Sequence, residues 1–143
     1  MLERPFEILL VEDNPADVRL AQEAFEEAEV ANNMHVVSDG EEAISYLRMH
    51  DSNNPWPDLI LLDLNLPKKD GRQVLAELKA DETLRRIPVV IFTTSHAPND
   101  ITNAYDNYAN CYITKPIDFE QFIDVVKSIE YFWLTTAKLP RIE

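Results

Sequence analysis

The sequence predicts an α/β protein with a parallel five-stranded sheet, on three observations. Short apolar runs alternate five times with segments whose apolar residues recur at helical spacing. The runs are apolar throughout, which is typical of strands covered by helices on both faces. The chain has 143 residues, which suits one compact domain, and strict alternation within one domain favours a parallel sheet with right-handed crossovers.

The first half of the chain predicts two strand–helix pairs. Residues 8–11 and 35–37 are short runs rich in Val, Leu and Ile, as expected of buried strands. The first helix begins at Asn14-Pro15, because Asn caps helices well and Pro suits the first helical position. Apolar residues then recur at helical spacing to about residue 29, and the second helix follows the turn at Asp39-Gly40.

The second half of the chain predicts three more pairs. The predicted strands cover residues 59–62, 88–92 and 111–113. A polar loop at 51–57 precedes the third strand, and the fourth helix is expected at Asn99–Asn107. The last helix is capped by Asp118, with Gln121 three residues later in the pattern of a capping box.

Charge and cysteine content narrow the range of functions. The chain has 26 acidic and 13 basic residues, a balance that opposes binding to nucleic acid or to an anionic membrane. It favours a metal cation or a positively charged partner. Cys111 stands alone, so no internal disulfide is possible. With no signal peptide in residues 1–7 and no run long enough to span a bilayer, we expect a cytoplasmic protein.

Polar residues follow four of the five predicted strands. They are Glu12, Asp13, Asp63, Thr93 and Lys115. Ligands of open parallel sheets bind beyond the carboxyl ends of the strands, so these side chains are expected to meet. Three carboxylates in close quarters repel one another unless a cation joins them, and Mg²⁺ prefers oxygen ligands. A carboxylate beside Mg²⁺ can attack phosphorus, which makes Asp63 a candidate phosphoacceptor.

Each of these residues has a plainer interpretation when taken alone. An acid at a strand end, such as Asp63, is more often a turn former or helix cap. Thr93 alone is usually an ordinary strand residue, and Lys115 alone a solvated charge. The conjunction of four sites at neighbouring strand ends is what favours a phosphorylation site.

These motifs resemble the receiver domains of two-component response regulators. The matching stretches are residues 8–14, 58–67, 70–71, 93–95 and 115–116. The resemblance implies a flavodoxin-like, three-layer (βα)5 sandwich with strand order 2-1-3-4-5. It also implies a single receiver domain over residues 1–143, with its core at about 6–130 and a C-terminal helix extension at about 131–143.

The resemblance implies a role for each acidic residue at these strand ends. Asp63 would be the phosphoacceptor and a ligand of Mg²⁺. Asp13 would bind the metal directly, and Glu12 would bind it through water. Asn65 would offer its backbone carbonyl to the metal.

The resemblance also implies a set of residues that bind the phosphoryl group and read its presence. Thr93 would be the switch hydroxyl and Lys115 the cationic partner of the phosphate. Tyr112 falls at the position of the switch aromatic, and Thr94 flanks the phosphate. The Lys115-Pro116 bond would be cis.

Two further stretches resemble the small receivers that partner bacterial phytochromes. They are residues 66–72 and the tail at 132–140. This similarity implies that the phosphodonor is a sensor histidine kinase of the phytochrome type.

One departure from the family lies before the fifth strand. Receivers often carry Gly there, whereas this chain has residues 107–110, Asn-Tyr-Ala-Asn. If a left-handed residue is needed, we expect Asn107 or Asn110 to supply it, since Asn tolerates positive φ better than most residues.

The tail carries four consecutive bulky apolar residues, which one helix face cannot bury together. Tyr131, Phe132 and Trp133 are therefore candidate interface residues. We expect a homodimer that uses the fourth helix, the fifth strand and the last helix. The alternative is that the tail folds back and covers itself.

The resemblance implies a signalling switch and not an enzyme: phosphorylation of Asp63 changes the face around Thr93 and Tyr112, and so controls partner binding or dimerisation. A phosphatase that forms an aspartyl phosphate is one alternative, but it needs a second acid where this chain has Asn65. A binding module that never takes phosphate is another, and the complete site counts against it. No output domain is expected after the last helix.

Overall fold

The computed structural model describes residues 4–49 and 55–140, and this part of the chain confirms the predicted α/β fold. Its strands are β1 (Phe6–Val11), β2 (Asn32–Val37), β3 (Leu59–Leu62), β4 (Val89–Thr93) and β5 (Cys111–Thr114). Its helices are α1 (Pro15–Glu26), α2 (Gly40–Arg48), α3 (Gly71–Ala80), α4 (Pro98–Asp106) and α5 (Phe119–Tyr131). Parts of three predicted segments, at 1–7, 51–57 and 131–143, lie outside the described residues.

All the strand pairs are parallel, in the order β2-β1-β3-β4-β5. Successive residues of the apolar strands face opposite sides, so each strand contributes to two cores. Leu9 packs in the core that contains Leu75 of α3. Its neighbour Ile8 packs in the other core, with Phe25 of α1 and Phe122 of α5. The uninterrupted apolar runs of the sequence therefore reflect helices on both faces of the sheet.

The observed bounds differ most at β2, which begins at Asn32 and not near residue 35. β2 is an edge strand, and its backbone pairs with β1 from Phe6↔Asn32 to Val11↔Val37. Backbone pairing at a sheet edge does not require apolar side chains, so the polar start of β2 carried no hydrophobic signal. The Asn14 cap of α1 is confirmed, since its side chain accepts the Ala16 N–H at 2.9 Å.

The left-handed residue before β5 is Tyr108, with φ of 64°, so the expectation of Asn107 or Asn110 was wrong. The end of α4 determines this position. The Tyr108 N–H bonds the carbonyl three residues earlier at 2.9 Å, and the Ala109 N–H bonds Ala104 at 3.0 Å. This is a Schellman motif, which places its left-handed residue directly after the C-cap. Asn110 has another role, because its Oδ1 accepts the Val89 N–H at 2.9 Å.

The Lys115-Pro116 bond is trans, so the prediction of a cis bond was wrong; the described residues contain no cis peptide. The trans form of an X–Pro bond is favoured by about 0.5–1 kcal/mol unless contacts select the other. Ile117, the residue after Pro116, is fully exposed, so it makes no packing contact that would select the cis form.

The apolar tail divides between the core and the surface. α5 continues into one wider helical turn, Phe132–Thr136. Leu134 is buried, and Trp133 packs against the same core. Tyr131 and Phe132 remain 65% and 50% exposed. Within the described residues, no helix combines the length and apolar character that crossing a membrane requires.

Candidate functional site

The three predicted acids meet beyond the carboxyl ends of β1 and β3. These strands are neighbours, and Val11 pairs with Leu62, so the residues that follow them are adjacent. The Asp63 N–H extends the ladder by bonding the Val11 carbonyl at 3.1 Å. Glu12, Asp13 and Asp63 each place a carboxylate oxygen within 4.8 Å of the others.

Lys115 reaches this acidic cluster from the end of β5. Its Nζ donates to Glu12 Oε1, to Asp17 Oδ2 at 2.9 Å and to Asp63 Oδ2 at 3.0 Å. Lys115 is only 6% exposed, and its Nζ lies 5.9 Å from the centre of the Phe92 ring. An ammonium has three donors, so each carboxylate occupies one of them.

The electrostatics of the site reflect this crowding. Burial raises the pKa of Glu12 to about 7, against the hydrogen bond from Lys115, which lowers it. Burial lowers the pKa of Lys115, but the bond to Glu12 and the nearby carboxylates outweigh burial and raise it above its ordinary value. Lys115 is thus the one ammonium that contacts three of the carboxyl groups in this cluster, and neighbouring carboxylates disfavour one another's ionised form.

The residues present fit a divalent cation with a preference for oxygen. Glu12 and Asp63 are buried, and Asp13 is exposed, so the cluster opens to solvent on the Asp13 side. Carboxylate oxygens within reach of one another suit Mg²⁺, which retains several waters when it binds to proteins. Asn65 lies beside the cluster, since its N–H donates to Asp63 Oδ1 at 3.2 Å. Its role as a carbonyl ligand stays a prediction.

The loop that carries Asp63 is held by the only two glycines of the chain. A Cβ at Gly71 would lie 2.1 Å from the Asp63 carbonyl oxygen. A Cβ at Gly40 would lie 2.0 Å from the Lys69 carbonyl oxygen. Both helix starts thus press against the backbone of the β3–α3 loop, residues 63–70, where only Gly fits. The sequence marked residues 70–71 as a stretch that resembles receiver domains, but it gave no sign of this close contact.

Thr93 and Tyr112 lie on the other side of the site, on β4 and β5. Thr93 is fully buried, and its Oγ1 has no hydrogen-bond partner among the described residues. The Tyr112 hydroxyl donates to the Ser95 carbonyl at 2.8 Å. Thr94 is exposed next to them. A buried hydroxyl without a partner is costly, so Thr93 is available to a group that enters the site.

Asp17 is the site residue that sequence reasoning missed. It lies in the first turn of α1, three residues after the Asn14 cap, and contacts Lys115. Acidic residues are favoured in the first turn of any helix, so its type carried no functional signal. Only the fold shows that the side chain turns towards the ammonium.

Comparison with known proteins agrees with this site. The family model for the response regulator receiver domain matches residues 8–127. The response regulator Rcp1 of Synechocystis is 47% identical over 138 residues, which cover 95% of this chain and 94% of Rcp1. FilR2 of Methanothrix harundinacea, a probable methanogenesis regulatory protein, is 43% identical over 96% of this chain and 90% of its own length.

Solved structures give the same result. The phosphorylated cyanobacterial phytochrome response regulator RcpA matches with a TM-score of 0.92 and 55% identity, over 96% of this chain and 99% of RcpA. The Mn²⁺-bound form of Rcp1 matches with a TM-score of 0.92 over 95% of this chain and 99% of its own. The chain belongs to the response regulator receiver domain family of two-component signalling.

Proposed function

We propose that the chain accepts a phosphoryl group on Asp63 from a histidine kinase. The observation that carries the proposal is the crowding of Glu12, Asp13 and Asp63 around a site that also holds Lys115. An Asp63 oxygen attacks the phosphorus of a phosphohistidine, and the P–N bond breaks as the acyl phosphate forms. The imidazole nitrogen keeps the electron pair of the broken bond.

Four residues besides Asp63 support this transfer in the proposal. Glu12, Asp13 and Asp63 would hold Mg²⁺, and the Asn65 carbonyl would be a further ligand. When bound, Mg²⁺ neutralises charge on the transferring group. Lys115 loses one of its carboxylate contacts and binds a phosphate oxygen instead. The Mn²⁺-bound form of Rcp1, 47% identical, supports a divalent cation in this family.

Thr93, Thr94 and Tyr112 read the phosphate in the proposal. The unpartnered Thr93 hydroxyl turns to bind a phosphate oxygen, which displaces the residues after β4. Tyr112 follows, because its hydroxyl bonds the Ser95 carbonyl in that same segment. Thr94, exposed beside them, influences how water reaches the acyl phosphate.

A phytochrome-type sensor kinase is the phosphodonor that we propose. The support is the similarity to RcpA, a phytochrome response regulator that is 55% identical to this chain. A mixture of this chain with a phosphorylated phytochrome kinase should transfer phosphate faster than a mixture with an unrelated kinase, and equal rates would contradict the assignment.

We propose further that the chain forms a homodimer through the face made by α4, β5 and α5. The exposed rings of Tyr131 and Phe132 lie at the end of α5, and Phe132 contacts Trp133 edge-on at 5.2 Å between ring centres. Replacing Phe132 with Glu should convert the dimer to a monomer in light scattering. A wild-type monomer, both with and without phosphate, would contradict this proposal.

A phosphatase role is the competing function, and Asn65 opposes it. Phosphatases that form an aspartyl phosphate use a second acid two residues after the nucleophile as a general acid and base. The Asn65 amide does not gain or lose a proton near neutral pH, so in the proposal the chain assists only its own phosphorylation and dephosphorylation.

Incubation with acetyl phosphate and Mg²⁺ tests the proposed function. We expect the intact mass of the wild type to increase by one phosphoryl group, and that of Asp63→Asn to stay constant. Asp58→Asn is the matched control, since Asp58 is a buried acid at the opposite end of the sheet. A wild type that gains no phosphate, or an Asp63→Asn variant that gains it equally, would contradict the proposal.

A further inference from the structure

A network of polar contacts joins the start of α3 to the start of α4, outside the acidic cluster. Arg72 grips Asp100 with two parallel bonds, Nε–Oδ1 at 2.9 Å and Nη2–Oδ2 at 2.8 Å. Its third nitrogen, Nη1, bonds both oxygens of Asp70 at 3.0 Å. Asp70 ends the loop that carries Asp63, so this network of contacts begins beside the site.

The other end of this network reaches Tyr112 and the segment that follows Thr93. Asp100 Oδ2 also accepts the Ser95 hydroxyl at 2.5 Å. Ser95 follows Thr93 by two residues, and its carbonyl accepts the Tyr112 hydroxyl. The Arg72–Asp100 pair therefore holds the segment that must move when Thr93 turns.

The geometry of this pair makes it a strong restraint. Two parallel bonds between a guanidinium and a carboxylate are shorter and stronger than bonds between neutral groups. The Asp100 side chain is 18% exposed, which limits screening by water. The hydrogen bond from Arg72 has the larger effect, and together with the bond from Ser95 it lowers the pKa of Asp100 to about 2. The carboxylate is therefore ionised at neutral pH.

We propose that Arg72 is a positioning residue that, through Asp100 and Ser95, holds the β4–α4 segment at residues 94–97 in the arrangement seen here and so sets how readily the domain switches. The inference rests on the proposed function. While Arg72 holds Asp100, movement of Ser95 costs the Ser95–Asp100 bond. When the grip is removed, the segment moves freely and the conformation that accepts phosphate is populated more often.

The test compares Arg72→Ala, Arg72→Lys and Asp100→Asn with the wild type. In Arg72→Ala and Asp100→Asn, phosphorylation by acetyl phosphate should accelerate by about fivefold or more, the lower end of usual coupling between sites. Arg72→Lys keeps the charge but loses the fork, so its rate should lie between. The double variant Arg72→Ala/Asp100→Asn should be no faster than either single one, because both break one restraint.

Lys127→Ala is the matched control. It breaks the ion pair between Lys127 and Glu27, 3.2 Å apart, which lies between α5 and α1. Its phosphorylation rate should equal that of the wild type. A merely structural role for Arg72 would lower thermal stability without accelerating phosphorylation, so melting curves of all variants separate the two roles.

Amide hydrogen exchange at residues 94–97, measured without a phosphodonor, tests the restraint by itself. Exchange should accelerate in Arg72→Ala and stay constant in Lys127→Ala. If exchange or the phosphorylation rate is unchanged in Arg72→Ala while the wild type takes phosphate, the inference is overturned and the proposed function stands. If the wild type takes no phosphate, the proposed function fails, and the inference fails with it.

Discussion

Both ends of the sheet bury carboxylates, but they do so in opposite ways. At the carboxyl end, Glu12 and Asp63 are 3% and 7% exposed. At the amino end, Glu7 and Asp58 are 8% and 2% exposed. Burial alone therefore does not distinguish the site from the opposite end, and the difference lies in what surrounds each acid.

At the amino end, each carboxylate accepts a hydrogen bond, although Oε2 of Glu7 is buried with no hydrogen-bond partner among the described residues. Asp58 accepts the Glu7 N–H at 2.9 Å and pairs with Arg4 at 3.2 Å. Glu7 accepts the Asn33 amide at 3.1 Å and lies 3.5 Å from His35. A groove of about 880 Å³ also lies here, partly lined by Glu7 and His35. These acids join β1 to β3 and β2, which is a structural role.

At the carboxyl end, carboxylates crowd one another around a single ammonium. Such an arrangement stores repulsion that an arriving cation relieves. Crowding of like charges, and not burial of an acid or the presence of a groove, therefore indicates the chemistry of this domain.

The first prediction concerns Gly71, an uncharged residue that contacts the backbone of Asp63. Gly71→Ala places a Cβ against the Asp63 backbone, so we expect a loss of about 3 kcal/mol in the free energy of unfolding. Phosphorylation of the folded fraction should also slow, because the clash displaces Asp63 itself. Urea denaturation and the acetyl phosphate assay measure the two effects.

Gly40→Ala is the control for this prediction. Its Cβ meets Lys69, six residues after Asp63, so stability should fall while phosphorylation of the folded fraction slows less. Equal slowing in the two variants would show that the whole loop, and not the contact at Asp63, governs the rate.

The second prediction tests whether Asp58, at the amino end of the sheet, has a structural role alone. Asp58→Ala leaves the buried Glu7 N–H without its acceptor, so unfolding should become easier by about 2 kcal/mol. Asp58→Asn keeps an acceptor and should lose less. Phosphorylation of the folded protein should equal that of the wild type in both, and a rate that fell with Asp58→Ala would show that the two ends are coupled.

The last prediction concerns Asp17, the fourth acid of the site and one of the three that contact Lys115. Asp17 and Asp63 contact the same ammonium at 2.9 and 3.0 Å, so their oxygens are at most about 6 Å apart. Asp17→Asn keeps a hydrogen-bond acceptor but removes a charge worth about 0.7 kcal/mol against an arriving phosphodonor at that distance in water. We expect phosphorylation to accelerate about threefold, with the melting temperature nearly unchanged.

Glu23→Gln removes a charge from an exposed position of the same helix and is the control for Asp17→Asn. Its phosphorylation rate should match that of the wild type. A rate that rises equally in both variants would assign the effect to the net charge of the protein and not to the contact with Lys115.

The sequence predicted the parts of the molecule that depend on local pattern. Apolar runs located the strands, and because parallel strands end at one edge, the acids at 12, 13 and 63 could be placed together. The caps at Asn14 and Asp118 followed from residue type, and both are confirmed, since each side chain accepts a backbone N–H of the first helical turn.

Features that depend on tertiary contact could not be predicted. The grip of Arg72 on Asp100 joins residues 28 apart, and neither residue has a local pattern that marks it. Tyr108 takes a left-handed conformation because α4 ends there, against the preference of its residue type. Family resemblance also misled once, since it implied a cis bond before Pro116 where the chain is trans.

The two glycines at the β3–α3 loop have a practical consequence for anyone who wishes to attach a fluorescent reporter. No side chain fits at Gly40 or Gly71, so a dye attached at either position would distort the loop. His96 is exposed in the β4–α4 segment on the opposite wall. A dye coupled to His96→Cys, after Cys111→Ser removes the native thiol, would follow the moving wall and leave the fixed one intact.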